Sequence, residues 1–112
     1  MKNESGEIEI IDGDINNPLH AAHLIELLNA YMADPMGGNS LLEKSKEKDV
    51  ISGLINHPGA FVFFALCKSE FAGMIVGFRG FSTFQAMPLL NIHDIVVLPE
   101  FRRKGIGRLL IQ

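Results

Sequence analysis

Apolar residues fall along this chain in two different periods, and the changes of period mark its elements. EIEIIDGD, residues 7–14, alternates in part and ends in turn residues, which predicts a first strand. In NNPLHAAHLIELLNAYMADP, Leu19, Ala22, Leu24, Ile25, Leu28 and Met32 recur at helical spacing. Asn17 is placed to cap that helix, Pro18 suits its first position and Pro35 ends it. MGGNS, residues 36–40, reads as a loop. SLLEKSKEKDVISGLINHPG predicts a second helix. Ser40 and Glu43 form its capping box, Leu42, Val50, Leu54 and Ile55 its apolar face, and Pro58-Gly59 its stop.

The period then shortens. AFVFFALC, residues 60–67, is apolar without a break and predicts a strand covered on both faces. KSE is a short hairpin turn, and FAGMIVGFRGFST is the next strand, whose glycines suggest a bulge or bend. Phe81 and Phe84 read as core or hairpin packing. LLNIHDIVVL, residues 89–98, is a fourth strand carrying a polar triplet, Asn91, His93 and Asp94. Strict alternation places His93 and Asp94 on opposite faces, and only a bulge would bring them together. A third helix begins near Gly105, with Ile106, Leu109 and Leu110 as its stripe. The order β-α-α-β-β-β-α describes a single α+β (mixed α/β) domain over 1–112, built on an antiparallel meander.

Composition narrows the classes. A chain of 112 residues, 47% apolar and 21% charged, can bury a modest core and is not disordered. Ten basic residues against thirteen acidic ones give a net charge of −3, so no general nucleic-acid partner is expected. No apolar stretch approaches the ~18 residues of a membrane span, so no membrane partner is expected either. The N-terminal MKNESGEIEI lacks the apolar core of a signal peptide. The lone cysteine, Cys67, fits a reducing, cytoplasmic setting and reads as a small buried hydrophobe. His20 and His23 read as solvated helix residues and His57 as a helix-end residue, and no metal site is expected, because zinc would need further ligands.

Four of the ten positive charges crowd into the last stretch, LPEFRRKGIGRLLIQ. Here a strand runs into a basic, glycine-containing turn and then a helix start. The first helical turn offers N–H groups without intrahelical partners, the dipole adds partial positive charge, and glycine admits close approach of a ligand. Such a place suits a phosphate or pyrophosphate. It is not a Walker P-loop, whose spacing is absent, and Leu110 stands where a dinucleotide motif needs its third glycine.

NIHDIVVLPEFRRKGIGRLLI resembles the acetyl-CoA-binding motif of the GNAT N-acetyltransferase superfamily: a strand, then [R/Q]-x-x-G-x-[G/A], then a helix. Arg102-Arg103-Lys104-Gly105-Ile106-Gly107 matches the six-residue core, and HDIVVLPEF matches the acidic-aliphatic strand, proline and aromatic before it. The resemblance implies the GNAT acyl-CoA N-acyltransferase fold without its usual C-terminal strands and helix. It implies acetyl-CoA as cosubstrate and a small-molecule or peptidyl amine as acceptor. The turn from Arg102 through Arg108 would hold the pyrophosphate, chiefly by backbone N–H groups from Arg103 onward. The backbone of Ile95, Val96 and Val97 would pair with the pantetheine arm and polarise the thioester carbonyl.

The same resemblance implies direct attack of the amine on the thioester. An amine with a pKa near ~10.4 arrives protonated and must first lose a proton. His93 stands where polyamine-acetylating members carry a carboxylate base, so His93 is the candidate base or water relay, beside Asp94. Tyr31 and Asp34 are the candidate acceptor wall. The absent C-terminal part is expected to leave an apolar surface and a strand edge exposed, which favours self-association, a homodimer in the simplest case. The alternative expectation is a truncated or catalytically impaired module that binds CoA or a partner chain.

Overall fold

The computed structural model describes residues 6–33, 42–102 and 104–111. The elements are β1 (Ile8–Asp12), α1 (Pro18–Ala33), α2 (Lys44–Asn56), β2 (Ala60–Cys67), β3 (Glu70–Ser82), β4 (Met87–Val97) and α3 (Ile106–Ile111), with a 3-10 turn at Pro99–Phe101. The four strands form one antiparallel sheet in the order β1-β2-β3-β4. The α+β meander expected from the pattern is therefore present, element for element.

The sheet is covered differently on its two faces. One carries α1 and α2 over Leu24, Leu27, Val62, Phe64, Met74, Val76 and Val96. The other carries α3, whose Ile106 and Leu110 bury themselves against Ile8, Ala65, Cys67, Ala72 and Ile75. This is why AFVFFALC has no polar break: successive residues of β2 enter opposite cores. Cys67 is buried at 2% exposure, as its place in that run implies.

Local chemistry explains most element ends. The Asn17 side chain accepts the Leu19 N–H at 2.9 Å, so it caps α1 as expected. Lys68 and Ser69, with φ of 51° and 70°, make a two-residue turn of the kind that matches strand twist. The second helix starts later than expected: α2 begins at Lys44, which leaves Glu43 at the cap position with no side-chain cap bond. Ser40 and the rest of the 36–40 loop lie outside the described residues. What ties the lead-in of α2 to α1 is the Leu42 N–H donating to Asn29 Oδ1 at 2.9 Å.

Three further expectations change. Leu19 is 58% exposed while Leu27 is fully buried, so the buried stripe of α1 runs through Leu24 and Leu27. The two histidines of α1 are not simply solvated. The His23 ring stacks on Phe71 at 3.8 Å, and His20 packs edge-on to Phe64 and accepts the Asp14 N–H at 2.8 Å. Phe81 and Phe84 are not core, because the β3–β4 hairpin runs out beyond the helices; they are 62% and 100% exposed. Leu89, Leu90 and Ile92 of the same hairpin are exposed as well.

Both long hairpins are bulged. Between β2 and β3, Ala65 faces Gly73 and Leu66 faces Phe71, so Ala72 is the extra residue. Between β3 and β4, Val76 faces Asp94 but Gly77 faces Ile92, so β4 carries His93 as an extra residue. Gly77 makes this fit. A methyl group there would meet the Asn91 carbonyl oxygen at 2.6 Å and collide with the Phe61 ring.

At the other end of the sheet, Glu7 accepts from Lys104 at 3.4 Å, with Lys68 at 4.0 Å. The Lys104 hydrogen bond and then its charge hold the Glu7 carboxyl below its ordinary value, with Lys68 adding to the effect. A depressed pKa in the folded state stabilises above the ordinary carboxylate range and is lost as the pH falls through it. Glu7→Gln is therefore expected to lower Tm at neutral pH, with the gap to wild type closing below pH 4.5. Gly77→Ala is expected to destabilise by roughly 1–3 kcal/mol in urea denaturation, the usual cost of overpacking.

Candidate functional site

The site begins with the outer edge of β4, which no described strand pairs. Along a strand the backbone N–H and C=O groups point alternately to the two sides. The Leu98 N–H donates to the Ala72 carbonyl at 2.9 Å, and the Val96 carbonyl lies against Gly73. Residues 96 and 98 thus turn their backbone toward β3, and Ile95 and Val97 turn theirs outward. Arg102 confirms the phase, because its Nε donates to the outward Val97 carbonyl at 3.2 Å. The Val96 side chain is buried in the α1/α2 core.

From there the chain turns through Pro99–Phe101. The Phe101 N–H bonds to the Leu98 carbonyl and the Phe101 side chain packs on the α3-side core. Gly105 sits at φ 80°, a conformation that L side chains rarely adopt, and its carbonyl accepts the Leu109 N–H at 3.0 Å to open α3. The N–H groups of Ile106, Gly107 and Arg108 precede that first helical bond and have no partner within the helix. Neither Gly105 nor Gly107 has a heavy atom within 4 Å of the place a Cβ would take, so the backbone can be approached closely there. Ile106, 1% exposed, pins the turn to the sheet. The Lys104 side chain is engaged by Glu7. Arg103 lies outside the described residues.

Two concavities meet at this edge. A cleft of about 310 Å³ is lined by Ala30 and Tyr31 of α1, Ile95, Val96 and Val97 of β4, Pro99 and Arg102. Beside it, a groove of about 500 Å³ runs between the helices and the sheet. Its polar lining includes Tyr31 of α1, Asp49 of α2, His57 just beyond α2, and His93 and Asp94 of β4. Its apolar lining includes Leu24, Leu28, Val50, Leu54, Met74, Val76 and Phe78.

The bulge corrects the alternation argument. His93 and Asp94 line the same groove, because the extra residue resets the phase of β4 between Ile92 and Asp94. Phe78 lies between two imidazoles, with ring centroids 4.7 Å from His57 and 6.0 Å from His93. His57 caps the end of α2 as expected, and its Nδ1 accepts the Gly59 N–H at 3.1 Å. Asp34 lies outside the described residues. Asp49 and His57 were not singled out from the sequence as groove residues. The signal was available, since Asp49, Gly53 and His57 recur at helical spacing beside the apolar Val50 and Leu54. Among the described residues no cluster of His, Cys, Asp or Glu is arranged to hold a metal, and no helix is long and apolar enough to cross a membrane.

No curated protein matches this chain. Solved structures do match it. An aminoglycoside acetyltransferase from an uncultured soil metagenomic sample, in complex with sisomicin, superposes with a TM-score of 0.75 at 22% identity, over 96% of this chain and 66% of that one. A possible acetyltransferase from Clostridium difficile 630 gives 0.76 at 16% identity, over 93% and 66%. A ribosomal-protein-alanine N-acetyltransferase from Brucella melitensis biovar Abortus 2308 gives 0.72 at 17% identity, over 93% and 66%. At these identities the similarity is one of fold, and the chain spans 66% of the length of each. The sequence speaks more directly: the model of the acetyltransferase (GNAT) family matches residues 23–112, taking in the groove, β4 and the closing turn, and the chain belongs to that family.

Proposed function

We propose that this chain moves an acetyl group from acetyl-CoA to an amine. The observation that carries the reading is the continuity of one surface. The outward backbone of Ile95 and Val97 leads directly into the Gly105–Arg108 turn on one side and into the His93–Asp94 groove on the other.

The roles follow from position. The N–H groups of the turn bind the pyrophosphate, and Gly105 and Gly107 let it approach. Arg103 belongs to the same motif. Lys104 contributes its backbone, its ammonium being paired with Glu7. Arg102 shapes the cleft and holds the Val97 carbonyl, so the pantetheine arm pairs with the groups of Ile95 and with the Val97 N–H. Val96 acts by packing. An outward N–H of this edge polarises the thioester carbonyl. His93 takes the proton of the attacking amine, directly or through water, and Asp94 faces the cationic acceptor.

The acceptor is an amine, small or peptidyl. The groove suits a cation on an apolar stem, since it sets Asp49 and Asp94 around an apolar floor, with no Lys or Arg among the described residues that line it. Of the solved structures of similar fold, one is an aminoglycoside acetyltransferase and one a ribosomal-protein-alanine N-acetyltransferase, a small-molecule and a peptidyl case. Tyr31 and Asp34 complete the acceptor wall on this reading.

Titration calorimetry of the chain with acetyl-CoA is the first test, and saturable binding is expected. Gly105→Val should weaken it roughly tenfold or more, because a branched residue does not hold the positive φ that converges the turn's N–H groups; unchanged affinity overturns the assignment. His93→Gln should lower kcat roughly 10²-fold while leaving acetyl-CoA affinity unchanged, and full activity removes His93 as base. A folded chain that binds acetyl-CoA and transfers nothing to any amine is a binding module.

A further inference from the structure

We infer that Phe78 is the positioning residue of His93, an inference that rests on the acetyl-transfer reading above, in which His93 takes the proton of the amine. His93 is the extra residue of the β4 bulge, so no ladder partner on β3 restrains it. It is exposed. Among the described residues its side chain has no hydrogen bond and no ion pair, and its one ring contact is with Phe78. That contact is edge-on, with centroids 6.0 Å apart and an angle of 66° between the rings. An imidazole on an unpaired residue, with no hydrogen bond to fix it, is free to change rotamer unless a neighbouring ring blocks the alternatives.

Phe78 can act in this way because it is itself held. It is half-buried in β3, paired with Ala60 on one side and Asn91 on the other. Its ring also meets that of His57, at 4.7 Å and 58°. His57 is anchored three times. Its N–H donates to the Leu54 carbonyl at 3.3 Å, its carbonyl accepts the Ala60 N–H at 3.1 Å, and its Nδ1 accepts the Gly59 N–H at 3.1 Å. The Gly59 carbonyl in turn accepts the N–H of Arg79, the neighbour of Phe78, at 2.7 Å. A methyl group on Gly59 would meet the Arg79 carbonyl oxygen at 2.6 Å and His57 Cε1 at 3.3 Å, so the end of α2 and strand β3 close tightly on each other here. The support runs from the end of α2 through His57 and Phe78 to His93, and all three side chains line the 500 Å³ groove.

The two imidazoles are thereby set to different work. With Nδ1 accepting from Gly59, the neutral His57 ring carries its proton on Nε2 and has no free acceptor nitrogen. The His93 ring makes no such bond and keeps an acceptor nitrogen for the amine's proton. His57 braces Phe78, Phe78 sets the direction of His93, and only His93 receives the proton, directly or through water, as the C–N bond forms.

The test uses Phe78→Leu, which keeps an apolar side chain and removes the ring, and Phe78→Tyr, which keeps the ring. Acetyl transfer is followed to primary alkylamines and to short peptides with a free N-terminus. Phe78→Leu is expected to lower kcat roughly tenfold with acetyl-CoA affinity by calorimetry at its wild-type value, and Phe78→Tyr to keep the wild-type rate. In a His93→Gln background Phe78→Leu should cost nothing further, since its effect passes through His93. NMR of the imidazole protons gives a readout independent of turnover: in Phe78→Leu the His93 signals should lose the ring-current shift of the phenyl group. Unchanged His93 signals or an unchanged kcat overturn the inference. So does an equal loss of kcat in both backgrounds, which marks Phe78 as a packing residue only. These results leave the acetyl-transfer reading standing. A folded wild-type chain that transfers acetyl to none of these amines overturns that reading, and the catalytic use of Phe78 with it.

Discussion

One extra residue in β4 determines the rest of the site. In a regular strand, 92, 94 and 96 share a face, and so do 91, 93, 95 and 97. The pairing keeps Ile92 opposite Gly77 and Ile95 opposite Ile75, both on the α3 side, which is only consistent if one residue between them is left out of the ladder. The cost of that residue is a broken register and a crowded partner strand, and Gly77 absorbs the crowding where any side chain would strike Phe61 and the Asn91 carbonyl. The gain is that two consecutive polar side chains, His93 and Asp94, reach the groove under α1 and α2 while the apolar residues on both sides of them keep to the other face.

The bulge also separates two uses of the same strand. At it, β4 offers the side chains of His93 and Asp94 to the groove. After it, Ile95 and Val97 offer backbone groups at the free edge, and Val96 is buried as an anchor. The backbone phase there is held by the Leu98–Ala72 bond, and the Ile106 side chain sets the turn that follows against the sheet. Neither arrangement needs a particular side chain at the edge itself. That is why such an edge can look, in sequence, like an ordinary aliphatic strand.

Much of this was legible beforehand. Element order, the Asn17 cap, the doubly buried β2 and the start of α3 all follow from local rules of period, capping and turn chemistry. The motif Arg102–Gly107 pointed to the turn because its chemistry is local too. What escaped was set by contacts distant in sequence. The second helix starts at Lys44, later than the Ser40–Glu43 pattern implied, and its lead-in is tied by the Leu42 N–H to Asn29, thirteen residues away. His20 and His23 took places against Phe71 that only the folded sheet provides. The face shared by His93 and Asp94 was concealed by assuming strict alternation, although Ile92 and Ile95, three apart around a polar pair, carry the mark of a bulge.

The placement of Tyr31 shows how such distant constraints join two concavities. Nothing in NAYMA distinguishes a tyrosine that closes a helix from one that borders both of them. The distinction arises because the buried leucines of α1 fix the helix's rotation over β3 and β4, while the bulge fixes where the groove of β4 ends and its cleft begins. Two independent registers, one helical and one of strand pairing, therefore meet at a single point. A slip of either would part Tyr31 from the Asp94–Ile95 step even if every residue of the motif were kept. On the proposed function, then, the glycine-containing turn governs whether the cosubstrate binds, and the packing of Leu24 and Leu27 against the bulged sheet governs how the acceptor groove lies beside it.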